Sequence, residues 1–237
     1  MKRFPVLLTL ALVTTTVLTT SMPGSAEGIG TVTQMGIDNY AFIYQEVLSE
    51  VIIIQLGNEN SSSIEQVGAD HLAGVGQVGD ENELEIQQLG QRDLVFSIQI
   101  GLGNYANITQ MHSAPPSSSQ RNVSNNDAFT YQSGLYNVLN LLQIGDDNTA
   151  SVYQIDDNNE AFIIQEQNAV ASGGNAAFLV QIGIGNWAVS QQLGANQLNR
   201  TQQVGAFNAA LVNQNGIDNS ALVTQTGNQN SAIVNQG

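Results

Sequence analysis

The sequence predicts an all-β fold, a β-solenoid or cross-β coil of stacked strand-turn-strand rungs with about 22 residues per rung. Three observations support this prediction. Glutamine recurs every eleven residues over most of the chain, the residues around each glutamine follow one frame, and apolar and amide side chains alternate at period two inside that frame. Repetition at a fixed period indicates units that bury their apolar faces against their neighbours.

The repeated frame reads Gln, any residue, Gly, two variable residues, Asn, any residue, a small apolar residue, any residue, an aliphatic residue, any residue, Gln. The unit from Gln214 to Gln225 shows it in full, with Gly216, Asn219 and Ala221 at fixed positions. We therefore expect eighteen strands, one for each glutamine of the series. The series comprises Gln34, Gln45, Gln55, Gln66, Gln77, Gln88, Gln99, Gln110, Gln132, Gln143, Gln154, Gln165, Gln181, Gln192, Gln203, Gln214, Gln225 and Gln236.

Each unit divides into a strand and a turn. Asn208, Ala210, Val212 and Gln214 are spaced two apart, which places them on one face of a strand. The Gly-x-x-Asn segment is typical of turns, because glycine and asparagine tolerate positive φ. A helix is disfavoured because the recurring glycine leaves no uninterrupted run of three turns. The predicted turn glycines are Gly36, Gly57, Gly101, Gly145, Gly183, Gly205, Gly216 and Gly227.

Two chain paths are compatible with this repeat. A meander would form one open sheet of nearly twenty strands, beyond the ~10 at which twisted sheets usually curl or split. In a β-arch coil, two successive units form one rung, and units two apart stack in register about 4.8 Å from each other. The coil explains the repeat, because identical amides then form ladders around a thin core of Ala and aliphatic residues. It predicts roughly nine rungs and a column about 40 Å long.

The amide positions of the frame are the predicted self-assembly ladder. They would bond the equivalent residues of the rungs above and below, both within the chain and between copies of it. The predicted ladder residues are Gln34, Asn39, Gln45, Gln55, Asn60, Gln66, Gln99, Asn104, Gln110, Gln143, Asn148, Gln154, Gln181, Asn186, Gln192, Gln214, Asn219, Gln225, Asn230 and Gln236.

Two segments depart from the frame. In residues 111–125, Arg121 replaces the expected glutamine, and Pro115 and Pro116 cannot donate to a strand ladder. Between Gln165 and Gln181 the spacing is sixteen, which predicts a loop insertion at 165–170. The expected organisation is a secretion signal peptide at 1–26, repeats at 27–110, the degenerate Pro/Ser unit at 111–125, and repeats at 126–237.

The first residues have the pattern of an export signal. Lys2 and Arg3 precede an apolar stretch from Val6 to Val17, and Gly24 and Ala26 suit cleavage before Glu27. The apolar run is shorter than the ~20 residues that span a bilayer, so we expect no membrane insertion of the mature chain. We therefore expect the mature chain to be secreted.

The mature chain would be strongly acidic, with three arginines against 20 acidic residues. This balance argues against nucleic-acid binding, which requires clustered basic side chains. Cysteine is absent, so neither a disulfide framework nor a thiolate metal site is available.

No catalytic or metal-binding residue is predicted, no cofactor is expected, and the chain is not predicted to be an enzyme. His71 occupies an Asn position of the frame and His112 a Gly position, far apart in the repeat. The acidic pairs Asp146-Asp147 and Asp156-Asp157 could offer oxygen ligands to a cation. They fall in successive turns, on opposite edges of the predicted column, which favours solvated turns instead.

Two features of the predicted column favour association. The terminal units are as regular as the others, so we expect uncapped strand edges and end-to-end addition. Outward strand positions also carry apolar side chains, for which we consider two explanations, lateral bundling of columns and the ordinary preference of strands for aromatic residues. These positions are Phe42, Tyr44, Phe96, Ile98, Phe162, Ile164, Phe178 and Val180.

The frame, on an acidic chain with an export signal and without cysteine, resembles the curlin repeat of curli subunits, which are bacterial extracellular functional amyloids. The resemblance covers nearly all of residues 29–237. It implies a pilus-like fibre at the cell surface with a role in biofilm matrix and adhesion. It also implies an outer-membrane export pore and a second curlin-type subunit as nucleator or fibre partner. The alternative is a soluble monomeric β-solenoid adhesin or surface-binding module.

Overall fold

The structure, a computed structural model, describes residues 28–46, 48–112, 124–167 and 173–237. The predicted signal peptide, residues 113–123 of the degenerate unit and residues 168–170 of the predicted loop lie outside the described residues. The described part contains strands and turns and no helix. Accordingly, it includes no helix long and apolar enough to cross a membrane.

Each unit of the frame forms one strand. The strands are β1 (Ile29–Met35), β2 (Tyr40–Gln45), β3 (Glu50–Leu56), β4 (Ser61–Ala69), β5 (Leu72–Asp80), β6 (Glu83–Gln91), β7 (Leu94–Leu102), β8 (Tyr105–Met111), β9 (Asp127–Leu135), β10 (Val138–Ile144), β11 (Thr149–Ile155), β12 (Glu160–Glu166), β13 (Ala176–Ile182), β14 (Trp187–Ala195), β15 (Leu198–Val204), β16 (Ala209–Ile217), β17 (Ser220–Thr226) and β18 (Ser231–Gln236).

The strands form two parallel sheets of nine strands each. One sheet, here the odd sheet, has the order β1-β3-β5-β7-β9-β11-β13-β15-β17, and the other, the even sheet, has the order β18-β16-β14-β12-β10-β8-β6-β4-β2. Consecutive strands therefore lie in opposite sheets and form one rung, and strands two apart are hydrogen-bonded neighbours. The predicted β-solenoid of about 22 residues per rung is confirmed.

The glutamines set the register of both sheets. Gln77 pairs with Gln99, 22 residues away, in the odd sheet. The two departures from the frame do not shift this register, because Gln99 pairs with Gln132 across 33 residues and Gln154 with Gln181 across 27. The extra residues are thus accommodated between strands.

Some predicted boundaries move by a few residues. Met111 closes β8, and Gln165 and Glu166 belong to β12 rather than to the loop insertion. Gly101 and Gly216, predicted in turns, lie at the ends of β7 and β16, because the adjacent rungs still pair there. Both glycines nevertheless have positive φ, +123° and +109°, and mark the bend of the chain.

The core is a thin layer between the two sheets. Side chains at alternate strand positions point inward, and Ile53, Ile64 and Ile108 among them are fully buried. Alanines such as Ala106 and Ala150 fill the narrow edge next to the turns. The predicted sharing of one face by Asn, Ala, an aliphatic residue and Gln is confirmed by the burial of all four positions in β8 and the turn before it.

Candidate assembly site: amide ladders and open edges

The glutamines form two continuous ladders inside the column, one per sheet. In the odd sheet the side-chain Nε2 of Gln55 donates to Oε1 of Gln77 at 2.7 Å, and Gln77 donates to Gln99 at 2.8 Å. The same amide groups also donate to backbone carbonyls at the start of the neighbouring even strands, as Gln77 does to Ser61 O at 2.9 Å. Each of these glutamines therefore bonds both the next rung of its own sheet and the backbone of the opposite sheet.

A third ladder consists of asparagines at the turns that lead into the even strands. The backbone N and the side-chain Nδ2 of Asn60 both donate to Oδ1 of Asn39 at 3.0 Å. Nδ2 of Asn60 also donates to the carbonyl of Gly79 at 2.7 Å. The Asn and Gly positions of the frame therefore act together, the amide of one rung bonding the turn backbone of the next.

The predicted turn glycines have the backbone that this arrangement requires. All of them have φ between +104° and +125°. A Cβ on Gly101 would lie 2.0 Å from the carbonyl oxygen of Gly134 in the next rung, so only glycine allows the close approach.

Every predicted ladder residue lies in one of these rows or in a fourth row, which leads into the odd strands. The rows also contain Gln77, Gln88, Gln132, Gln165, Gln203, Asn82, Asn126, Asn137, Asn159, Asn175 and Asn208, which the predicted set omitted. Of the predicted residues, Asn219 is not joined to its row by a side-chain bond, since its Nδ2 donates to Asn215 O within its own turn.

The fourth row has a mixed composition. Where the frame calls for asparagine it carries Ser49, His71, Asp93 and Gln197 beside the asparagines. His71, at the predicted Asn position, continues the pattern, because the backbone N of Asp93 donates to its Nδ1 at 3.3 Å. Gln197 interrupts the row: its Oε1 is buried without a hydrogen-bond partner.

His71 and Asp93 form a buried pair within this row. Nδ1 of His71 lies 3.4 Å from Oδ2 of Asp93, and both side chains are fully buried. Burial raises the pKa of Asp93 to about 6 and lowers the pKa of His71. Ser124 Oγ donates to Asp93 Oδ2 at 2.8 Å, and Asn126 N donates to Asp93 Oδ1 at 3.0 Å. Because Nδ1 already accepts a hydrogen bond, the ionised carboxylate would face an imidazole lone pair, so the pair favours one added proton.

The remaining candidate residues do not assemble a reaction centre. His112 Nδ1 lies 2.9 Å from Asp146 Oδ1 in a partly exposed turn. Asp146 and Asp156 follow β10 and β11 respectively, in turns on opposite edges of the column. Within the described ranges, no group of three or more His, Cys, Asp or Glu side chains is placed to hold a metal ion.

The ladders have a direction. Glutamine amides donate toward the C-terminal end of the column, as Gln203 does to Gln225 at 2.8 Å. In the bonds from asparagine to asparagine, the side-chain amide donates toward the N-terminal end, as Asn230 does to Asn208 at 2.9 Å. The backbone donor of Asn230, which bonds the same Oδ1 at 3.1 Å, fixes the orientation of the Asn208 amide. The two ends of the column are therefore chemically different.

The outermost strands leave their edges open within the described part of the chain. They are β1 and β2 at one end and β17 and β18 at the other, each with a neighbour on one side only. The core is half-buried at these ends, at Val32 and Ala41 on the first rung and at Ala232 and Val234 on the last. Both ends thus present unpaired backbone beside incompletely covered apolar side chains.

Fold and site together define a class of protein, a parallel β-solenoid with an interior of amide ladders and open end strands. The family described as "Curlin associated repeat" matches residues 49–79, 79–110 and 200–227. The chain therefore contains repeats of the curlin type, which confirms the resemblance seen in the sequence. A comparison with curated proteins gave no match.

Proposed function

We propose that the chain is a secreted structural subunit that adds copies of itself end to end, extending its amide ladders into a curli-like amyloid fibre. The fibre would lie at the cell surface and serve biofilm matrix, adhesion and surface attachment. Curlin repeats and the β-solenoid fold support a structural role for a subunit of curli type. An outer-membrane export pore and a second curlin-type subunit as nucleator are further parts of the proposal.

The observation that carries the proposal is the complementarity of the two ends. At the C-terminal end, Gln225 and Gln236 direct their amide donors outward, with each Nε2 bonded only to a backbone carbonyl among the described residues. At the N-terminal end, Gln34 and Gln45 use Nε2 toward the interior of the column, which leaves Oε1 as the outward acceptor. Donors of one copy therefore meet acceptors of the next.

This complementarity specifies head-to-tail growth. β1 of an incoming copy would pair with β17, and its β2 with β18, in the parallel sense and register of the interior strands. Val32 of the incoming copy would then cover Val223, next to Gln225, as interior aliphatic residues cover each other. A head-to-head contact would make the strands antiparallel and place like amide groups opposite each other.

A matched pair of variants tests the end interface. Val234→Glu places a carboxylate at a half-buried inward position of β18, where an incoming strand would bury it without a partner. Asn235→Glu adds the same charge to the same strand on its exposed outer face. We expect Val234→Glu to slow seeded elongation, followed by thioflavin-T fluorescence, at least about tenfold, and Asn235→Glu to leave it nearly unchanged.

Wild-type chain that forms a stable β-rich monomer and never elongates on seeds would contradict the proposal. That result would favour the alternative of a soluble monomeric β-solenoid adhesin. Fibre diffraction on the wild-type product should give reflections near ~4.7 Å and ~10 Å, the spacings of strands within a sheet and between sheets.

A further inference from the structure

The outward side of the odd sheet carries a largely apolar surface between β3 and β13. We call the outward side chains at the third and fifth positions of the odd strands the odd face. Large hydrophobic side chains that are 38–46 % exposed stand there over β3, β7, β9 and β11, namely Ile52, Ile54, Phe96, Ile98, Phe129 and Tyr153. Exposed apolar patches of this extent usually mark interaction sites.

The same positions of the even sheet are different. On the odd face the described strands carry no Asp or Glu, and the charged side chain there is Arg200. The equivalent positions of β4 and β6 carry Glu65 and Glu85, among serine and glutamine residues. The lateral-bundling hypothesis treated the outward aromatic residues as one set, but Phe42 and Phe162 lie on the even sheet and Phe96 and Phe178 on the odd sheet.

The side chains of the odd face are also arranged regularly along the column. The rings of Phe96 and Phe129 stack with centroids 5.9 Å apart, and those of Tyr131 and Tyr153 lie 6.3 Å apart. β5 has glycine at both positions of the face, and the Phe96 ring lies over Gly74, where a Cβ would be 2.5 Å from it. The face therefore consists of ridges along the column axis, interrupted by a notch at β5.

We propose that the odd face is a lateral self-association surface, and that its occupant is the odd face of a second copy of this chain. Charge supports a second copy, because the chain has a net charge of −15 and two copies can approach closely only through a face without carboxylates. Repeat geometry supports it too, because ridges spaced by strand stacking are matched along their whole length by a surface with the same spacing.

The area of the face is sufficient for such a pair. Seven-residue strands at ~3.3 Å per residue span about 20 Å, and nine strands at ~4.8 Å span about 40 Å. The whole outer side of the odd sheet therefore covers about 800 Å² per copy, the size of a standard protein interface, with the odd face along its middle and Glu50 and Asp127 at its edge. The pairing uses the sides of the column and adds to the proposed end-to-end growth without depending on it. A fibre of such pairs would contain two columns in cross-section.

The test compares two double variants with equal added charge. Ile54→Glu with Ile98→Glu alters the fifth positions of β3 and β7 on the odd face. Leu142→Glu with Ile164→Glu alters the fifth positions of β10 and β12, which line a largely apolar groove on the outer side of the even sheet. Circular dichroism melts check that both variants fold like the wild type.

The readout is the mass per length of seeded fibres, measured by scanning transmission electron microscopy. We expect the odd-face variant to have half the mass per length of the wild type, and the even-sheet variant to match the wild type. Equal values for all three proteins, or a loss confined to the even-sheet variant, would overturn the proposal.

Thioflavin-T elongation rates, recorded in parallel, report end-to-end growth separately. If no fibres form, the proposed function fails, and sedimentation velocity of the soluble chain decides the lateral proposal. Dimers of the wild type that become monomers in the odd-face variant alone would support it, and monomers throughout would overturn it.

Discussion

Amide side chains hold the rungs together because each is satisfied on several sides. Gln99 donates to Gln132 at 2.9 Å, to Glu83 O at 2.9 Å and to Asn104 O at 3.1 Å, and it is fully buried. A buried polar group in this state adds stability, whereas one that lacks a partner costs about 1–3 kcal/mol. The two glutamine rows thus favour the same residue type at every rung, which explains why glutamine recurs at this position of the frame throughout the chain.

Asp93 is the ladder residue that most clearly lowers the stability of the fold when it is ionised. We predict that Asp93→Asn raises the free energy of unfolding at pH 8 by about 1–3 kcal/mol, because the asparagine needs no ionisation and its Nδ2 donates toward Nδ1 of His71. Since the folded-state pKa of Asp93 is raised to about 6, the folded protein binds the extra proton more tightly than the unfolded chain. Wild-type stability therefore falls relative to the variant as pH rises from about 4 to about 6.

The measurement is urea unfolding of both proteins at pH 4 and pH 8. The lowered pKa of His71 acts in the opposite direction below its ordinary value, but His71 is present in both proteins, so their difference isolates Asp93. A difference that is independent of pH, or larger at pH 4, would contradict this assignment. Asp218→Asn, at an exposed position between β16 and β17, serves as the matched control.

At the residue scale, the sequence predicts the ladder rows because identical amides recur at fixed spacing. It assigns His71 to an Asn position correctly, yet it does not pair His71 with Asp93. The predicted stacking of units two apart places both residues in one row, but the repeat does not specify how unlike side chains in a row orient toward each other. Ser124 is further removed still, 31 residues from Asp93, because the degenerate unit intervenes.

At the scale of strands and turns, the degenerate unit lengthens one connection between strands. β8 and β9 are joined through a connection eleven residues longer than the regular one, and the frame resumes at Asn126. If residues 113–123 are left out of the sequence, Gln110 and Asn126 have the same spacing as Gln99 and Asn104. The connection is thus a regular turn plus an addition of one unit's length.

We predict that deletion of residues 113–123, combined with His112→Gly, preserves the fold. The shortened connection follows the frame, and the entropy of loop closure changes by only about 1 kcal/mol or less. Far-ultraviolet circular dichroism and a thermal melt within a few degrees of the wild type are the expected results. Deletion of six residues instead of eleven, as a control, breaks the frame. Loss of β structure in the eleven-residue deletion would show that the segment is required for folding.

The number and order of the strands follow from the sequence, but their exact ends do not. Gly68 lies inside β4 because Gly90 of the next rung pairs with it. Pairing between rungs therefore extends strands across residues whose local preference is for a turn. The repeated frame reflects the local preference of each residue, whereas the ends of the strands also depend on hydrogen-bonded pairing with the neighbouring rung.

The whole molecule is a polar column with two different sides and two different ends. The two sides differ because each outward residue belongs to the odd or the even sheet, according to the position of its strand in chain order. Because β8 lies in the even sheet and β9, the next described strand, lies in the odd sheet, Phe129 stacks on Phe96 of β7. The sequence alone groups the outward aromatic residues together, and the observed topology separates them.

Head-to-tail stacking in register is the central claim, and engineered cysteines test it most directly, because the chain has no cysteine of its own. Extending the interior register places Thr33 of an incoming copy beside Thr224 of the last rung, on the outer side of the odd sheet. Parallel neighbours about 4.8 Å apart are within disulfide distance, whereas these two residues of one chain are about 40 Å apart.

The measurement is a non-reducing gel of Thr33→Cys/Thr224→Cys protein oxidised after seeded growth. We predict a ladder of disulfide-linked multimers, and no such ladder from Thr33→Cys/Asn235→Cys, in which the second cysteine lies on the even sheet. Thr33→Cys alone, which has one cysteine per chain, should give at most dimers through the proposed odd-face pairing and no multimer ladder. Absence of the multimer ladder from the first variant, or an equal ladder from the second, would contradict head-to-tail stacking in register.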